Sequence, residues 1–234
     1  MNANEILAEL RPLGRNSYKS VLLKHGIPEP VWGVKIEELK KIQKRIKRDY
    51  ELSRELFDTG IYDARYLAGL IADDARMTRA DLRHWVDAGG TPLAGCIVAW
   101  VAAGSPHAWE LALEWIDSPR EPVALAGWAT LNSFVSITPD AELDLTRLKR
   151  LLQRVQATIH QAPNDPRYAM NMFVICVACY VKPLTEFAKQ VAEKIGHVTV
   201  DMGDTACRVA FAPEYINKVE ARGTIGKKRK SAKC

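Results

Sequence analysis

Apolar residues recur along most of the chain at intervals of three and four positions, and no segment alternates strictly between apolar and polar residues. This period is typical of amphipathic helices that bury one face. Its clearest form is the run Ile36, Leu39, Ile42 and Ile46, which has lysine and arginine on the remaining faces. The pattern predicts an all-α protein.

Glycine and proline residues separate the predicted helices at intervals of about 15 to 20 residues. Helices are predicted over residues 4–13, 17–25, 35–48, 66–74, 93–103, 108–116, 124–135, 143–160, 170–180 and 184–195, with one or two turns over 214–221. From residue 66 onward they pair into units of about 40 residues, the period of HEAT-like α-α superhelices. A chain of 234 residues holds five or six such units, so we expect one curved solenoid domain over residues 1–221.

Charge is concentrated in two places although the whole chain carries only +5. Residues 35–48 hold seven bases and two acids, and residues 218–234 hold seven bases and one acid. Residues 222–234 form a basic, glycine-interrupted tail that we expect to be disordered when free. Lysine and arginine clusters bind phosphates by releasing counterions. The candidate phosphate contacts are therefore Lys40, Lys41, Lys44, Lys47, Arg48, Lys227, Lys228, Arg229 and Lys230. A solvated helix face with a flexible tail is the alternative, and the KKRK run would suit nuclear localisation in a eukaryote.

Aromatic and polar side chains add further candidates for nucleic-acid contact. Trp85 and Trp128 have glycine or polar neighbours, whereas Trp100, Trp109 and Trp115 sit at helical spacing among apolar residues and are predicted to pack in the core. Arg167, Tyr168 and Asn171 lie one helical turn apart where an apolar helix begins, so this edge is predicted to face a groove. Capping and hydrogen bonding between repeats is the alternative for these three residues.

Asp87 is the candidate catalytic acid, because a carboxylate beside an aromatic ring such as Trp85 would stabilise a developing cationic sugar. Helix capping explains the neighbouring acids equally well, since Thr78 and Asp81 have the spacing of a capping box. The two cysteines of the Cys176-Val-Ala-Cys179 run lie in an apolar helix and are predicted to be packing residues. We therefore expect neither a metal nor a cofactor.

The N-terminus lacks the basic and apolar regions of a signal peptide, and the five cysteines show no secreted framework. Both features predict a cytoplasmic protein. Residues 88–109 carry no Asp, Glu, Lys or Arg, but several glycines and prolines interrupt them, so we expect a buried core helix and no membrane partner.

Several runs, LGRNSYKSVLLKHGI, GVKIEELKKIQKRIK, YLAGLIADDARM, WELALEWI and GWATLNSFVSI, resemble the AlkD-type DNA alkylation-repair proteins. The resemblance covers residues 1–221. It implies a HEAT-like superhelix whose positive concave face cradles double-stranded DNA, in a protein that we expect to be a monomer and, if bacterial, associated with the nucleoid. Active members of the family are glycosylases that release N3- and N7-alkylated purines. In them an aspartate assists without a metal, and aromatic residues and an arginine hold the backbone of the lesion.

The family's aspartate, tryptophans and arginine are matched only in part by this sequence. The best register places Thr91 at the family's tryptophan and Gly95 at its aspartate, whereas a looser register uses Trp85 and Asp87. The arginine falls near residues 125–127, where no base is present, and a second tryptophan falls near Phe173. Two functions follow: an alkylpurine DNA glycosylase, or a catalytically silent member that binds DNA structures or a protein partner.

Overall fold

The computed structural model describes residues 2–203 and 205–233, which contain thirteen α-helices joined by short 3-10 turns and no β-strand. The all-α prediction is confirmed. The helices are α1 Ala3–Leu10, α2 Asn16–Lys24, α3 Ile36–Ile46, α4 Tyr50–Asp58, α5 Tyr62–Ile71, α6 Arg79–Leu93, α7 Ala99–Gly104, α8 Ala108–Trp115, α9 Glu121–Ile137, α10 Leu145–Thr158, α11 Asn164–Tyr180, α12 Thr185–Ile195 and α13 Ala212–Ala221.

Successive helices pack as pairs, with α4 against α5, α8 against α9 and α11 against α12, and one hydrophobic core runs through the whole array. Helices α9 and α11 pack extensively on each other and are buried on most faces. A helix that is apolar nearly all round belongs in such a central layer. Helices α4 and α6 are the two that the sequence prediction omitted.

Helix α6 is broken near its end, where Gly90 has φ 63° and ψ 179° and Pro92 follows. A π-helical turn over Ala94–Val98 then leads into α7. By length and composition alone the combined run Arg79–Gly104 would suffice to cross a membrane, as would the bent pair α11 and α12. Leu93, Ile97 and Val98 of this run are buried in the protein core.

The start of α6 shows how the sequence defines a helix end. The Thr78 hydroxyl accepts a hydrogen bond from the backbone N–H of Asp81, and the Asp81 carboxylate accepts one from the backbone N–H of Thr78. This reciprocal pair satisfies two N–H groups that would otherwise lack partners at a helix start. The capping role predicted for Asp81 is confirmed by these bonds.

Candidate nucleic-acid interface

A groove of about 1110 Å³ runs over the central helices α9 and α11. Small side chains on α9, among them Ala129, Ser133 and Ser136, leave the space, whereas Tyr168 and Met172 project from α11. These positions recur at helical spacing, so each helix presents one continuous stripe to the groove. The volume exceeds that of a typical small-ligand pocket, which suits a polymer or an extended ligand.

Residues 196–203 and 205–211 border the groove near the N-terminus of α11, and we call them the 196–211 loop. Three polar side chains of α11 hold this loop: Asn164 exchanges hydrogen bonds with the backbone of residue 201, Arg167 donates to the carbonyl of residue 199, and Asn171 donates to the carbonyl of Ala210. The guanidinium of Arg167 also donates to the Ala162 carbonyl, and Arg167 is not among the groove-lining residues, so its contact with nucleic acid stays a prediction. Asn171 is 1% exposed, which excludes direct contact of its side chain with nucleic acid. The bonds of Arg167 and Asn171 agree with the alternative given for them, which is hydrogen bonding between repeats.

Residues 222–233, which we call the strap, border the groove near the C-terminus of α11. We expected disorder here, but the strap makes hydrogen bonds to the ends of three helices. The N–H of Gly226 donates to the Cys179 carbonyl of α11, and the N–H of Arg229 donates to the Ser136 carbonyl of α9, both at 2.8 Å. The last carbonyls of a helix lack partners within it and carry partial negative charge. The strap supplies hydrogen-bond donors and positive charge to these carbonyls.

Two strap lysines form half-buried ion pairs. The Lys228 ammonium lies 2.8 Å from Asp140 Oδ1 and donates to the Val135 carbonyl at the end of α9. The Lys233 ammonium lies 2.7 Å from Asp74 Oδ1 and donates to the Ala72 carbonyl that follows α5. These two carboxylate oxygens are shielded from solvent and have no other hydrogen-bond partner among the described residues. The strap is thus fixed at two points by charge.

Lysine and arginine outnumber acids along the groove. Lys24, Lys227, Lys228 and Arg229 line it, against two acids, Asp165 and Asp201. The predicted tail residues 227–229 are thereby placed in the groove wall, whereas the exposed Lys230 is not among the lining residues.

One of these two acids, Asp165, has a perturbed pKa. Burial raises this pKa and the neighbouring Glu121 carboxylate raises it further, against a hydrogen bond donated by Asn164.

The basic residues of α3 lie outside the groove lining. Lys41, Lys44 and Lys47 are exposed and Lys40 is half-buried; Lys41 pairs with Glu38 at 2.9 Å. Arg48 is also exposed and interacts electrostatically with Lys233, so the end of the strap approaches this cluster. The α3 cluster therefore extends the basic surface away from the groove.

The tryptophan predictions fail because packing buries the rings. Trp85 is 1% exposed and stacks on Phe57 with 4.3 Å between ring centroids and 6° between planes. Trp128 is 2% exposed and packs on Phe173, which is fully buried. None of these three predicted residues can contact DNA. Tyr168 is the one predicted aromatic that lines the groove.

The structure places Asp87, the candidate catalytic acid, outside the groove lining. Its exposed carboxylate pairs with Arg120 at 2.5 Å. The catalytic role of Asp87 stays a prediction.

In the best register of the family resemblance, Thr91 and Gly95 correspond to the family's tryptophan and aspartate, and its arginine falls near Leu125. All three residues line the groove. A Cβ built on Gly95 would meet the Leu125 side chain at ordinary van der Waals distance, so position 95 has room for a Cβ that the glycine lacks. At Gly127 a Cβ would lie 2.6 Å from the backbone nitrogen of Ile116, which leaves no room for a side chain. The family's carboxylate and arginine are thus absent from the groove.

The two cysteines of the Cys176-Val-Ala-Cys179 run offer no reactive thiolate. Burial raises the pKa of Cys176 to about 12 and that of Cys179 to about 11, so both remain protonated thiols near neutral pH. Within residues 2–203 and 205–233, no group of three His, Cys, Asp or Glu side chains has an arrangement that would hold a metal ion.

Sequence reasoning missed Lys24, Met172 and Tyr215, all of which line the groove. Lys24 ends α2 and Tyr215 belongs to α13, so neither lies on the two central helices. Exposure of a large aromatic residue is the signal that could have identified Tyr215, but that exposure, 46%, appears only in the structure.

Fold and groove together define a HEAT-like repeat superhelix with a basic groove on its central helices. The family model for DNA alkylation repair enzymes matches residues 6–186, and the chain belongs to that family. Uncharacterized proteins of Listeria innocua and Listeria monocytogenes are each 29% identical over 225 residues, covering 94% of this chain and 97% of theirs. One solved structure is 34% identical, with a TM-score of 0.92 and full coverage of both chains. It represents a new family of proteins related to the HEAT-like repeat DNA glycosylases with affinity for branched DNA structures.

Proposed function

We propose that this protein binds DNA in the groove over α9 and α11, with preference for branched over continuous duplex DNA, and that it does not excise alkylated purines. The observation that carries the proposal is the composition of the groove. Lys24, Lys227 and Arg229 supply positive charge, whereas Gly95 and Leu125 occupy the places where the resemblance requires an acid and an arginine. The preference for branches is carried over from the affinity of the similar solved protein.

Positive charge beside the groove is suited to phosphates. Each phosphate neutralised on duplex DNA contributes about 0.9 to the slope of log affinity against log salt. The strap holds Lys227 and Arg229 in a fixed path, so these residues need little further ordering to reach a backbone. The exposed lysines of α3 provide a second set of contacts for a longer arm of the DNA.

Binding is tested by fluorescence anisotropy with a three-way DNA junction and a duplex of equal length, each over a range of salt. We expect tighter binding to the junction, and a salt slope about 2 smaller for the double variant Lys227→Gln/Arg229→Gln. Lys230→Gln is the matched control, because this exposed strap lysine is absent from the groove lining. Equal affinity for both DNAs would refute the branch preference, and no binding at low salt would refute the DNA function.

Excision is tested separately by measuring release of 7-methylguanine and 3-methyladenine from methylated duplex DNA. We expect release at the spontaneous rate, because no carboxylate occupies position 95. Faster release would establish glycosylase activity. Loss of that activity in Asp87→Asn would then restore the role first considered for this residue.

A further inference from the structure

Three tyrosines gather along the groove between the central helices and the C-terminal region. Tyr168 and Tyr180 project from α11 and Tyr215 from α13, and all three line the groove. Tyr168 and Tyr180 both lie close enough to Tyr215 to interact electrostatically. Tyr215 of α13 therefore lies within electrostatic range of a tyrosine near each end of α11, and we call these three residues the tyrosine cluster.

The polar ends of these rings are available to a ligand. The hydroxyl groups of Tyr168, Tyr180 and Tyr215 form no hydrogen bond with a residue in the described part of the chain. Burial raises the pKa of Tyr168 and of Tyr180, so both hydroxyls remain protonated donors at neutral pH.

Charge beside the cluster indicates what binds to it. Arg229 of the strap lines the same groove and interacts electrostatically with Tyr180. Methionines 172 and 202 add polarisable, adaptable surface nearby. Aromatic rings beside an arginine suit a ligand with a flat π face and a phosphate, which is a nucleotide whose base is not paired.

We propose that the tyrosine cluster binds unpaired nucleotides at the branch point of a DNA junction by stacking on their bases, with Tyr168 and Tyr215 as the main platforms. This inference rests on the proposed function and deepens it, because it names the residues that separate branched from duplex DNA. Bases in a continuous duplex keep their faces stacked on each other, so only a branch or a gap presents a free face. The groove volume of about 1110 Å³ accommodates more than one nucleotide.

The test uses a three-way junction with unpaired 2-aminopurine nucleotides at the branch, and a fully paired duplex with 2-aminopurine inside. Stacking on a tyrosine changes the fluorescence of 2-aminopurine. We expect the wild-type protein to change the junction signal and to leave the duplex signal unaltered. Tyr168→Ala and Tyr215→Ala should each weaken junction binding about 5- to 150-fold, with less than twofold change for the duplex.

Two comparisons separate stacking from other effects. Tyr168→Phe keeps the ring, so it should retain most of the junction affinity and also shows that the site tolerates substitution. The salt slope should be unchanged in all tyrosine variants, because no phosphate contact is removed. Tyr18→Ala is the matched control, since Tyr18 belongs to α2 and is not in the groove lining.

Equal losses for junction and duplex in Tyr168→Ala and Tyr215→Ala, or no loss in either, would overturn the stacking proposal while leaving DNA binding intact. A wild-type protein that binds neither DNA would overturn the proposed function and this inference together. Thermal unfolding of each variant identifies any loss that reflects misfolding, in which case Tyr168→Phe and Tyr168→Leu decide the outcome.

Discussion

Replacing Lys233 with methionine is expected to destabilise the protein by about 1–3 kcal/mol, because one carboxylate oxygen loses its ionic partner. The Lys233 side chain is 11% exposed and that of Asp74 is 23% exposed, with 2.7 Å between Nζ and Oδ1. Asp74 Oδ1 has no other hydrogen-bond partner among the described residues. Breaking a fully buried pair costs about 3–5 kcal/mol. The strap can detach and admit water, which limits the loss to the lower range.

The pH dependence of this variant provides an internal check. Burial raises the pKa of Asp74 in the intact protein, and Lys233 opposes that rise. Without Lys233 the pKa in the folded state rises further above its unfolded value. A carboxyl group with a raised folded pKa favours the folded state when protonated, and this contribution is lost as pH increases. The deficit of Lys233→Met should therefore be larger at pH 7 than at pH 4.

Urea unfolding followed by fluorescence of the six tryptophans measures the free energy of unfolding. Lys230→Met is the matched control, because Lys230 is exposed and forms no ion pair with a described residue, and its effect should stay within about 0.5 kcal/mol. The double variant Lys233→Met/Asp74→Asn should be more stable than Lys233→Met, since the unpaired carboxylate is gone. A loss for Lys233→Met no larger than that of the control, with no rescue by Asp74→Asn, would refute strap docking.

Three further predictions concern the body of the protein. Gly127→Ala should cost about 1–3 kcal/mol, because the added Cβ meets the backbone of Ile116 at 2.6 Å; unfolding by urea measures the loss, and a neutral result would show that α8 and α9 can separate there. Asp165→Asn should raise the free energy of unfolding at pH 7 and lose this advantage below about pH 4, because burial raises the pKa of Asp165 and its ionised form therefore weakens the folded state. Thr78→Ala should cost about 1 kcal/mol by removing the hydroxyl that accepts from the Asp81 N–H, as measured by thermal unfolding, and Thr78→Ser should restore most of it.

Helices were predictable from this sequence because their signals are local. The spacing of apolar residues in α3 and the threonine–aspartate pair at the start of α6 each lie within a few residues of the structure they specify. Amphipathic period and capping depend on neighbours one turn away. The pairing of helices into a superhelix follows from their regular spacing, and the solved relative has that architecture.

Burial of individual aromatic residues was not predictable in the same way. Trp85 looks exposed by its sequence neighbours, yet Phe57, from the preceding helix pair, covers its face. The sequence places Asp87 two residues after Trp85, but the two side chains lie on different faces of α6: Trp85 is buried and Asp87 pairs with Arg120. Tertiary partners of this kind carry no local signal.

Docking of the strap illustrates the same point with charge. Composition alone describes residues 222–234 as a segment too basic and too poor in apolar residues to order itself. The acids that neutralise it, Asp140 and Asp74, lie 88 and 159 positions earlier than Lys228 and Lys233. Only the folded superhelix brings these carboxylates and the helix C-termini close enough together for the strap to contact all of them.

Four basic residues of the strap therefore have two different roles, two residues in each. Lys228 and Lys233 face inward, where they neutralise half-buried acids and satisfy helix ends. Lys227 and Arg229 face the groove and remain available for phosphate. Substitutions of the first pair should lower stability in proportion to the lost ion pairs, whereas substitutions of the second pair should change the salt slope of DNA binding at unchanged stability. A variant in which all basic residues of the strap are neutralised would combine the loss of stability with the loss of DNA binding. Substituting the two pairs separately distinguishes these effects.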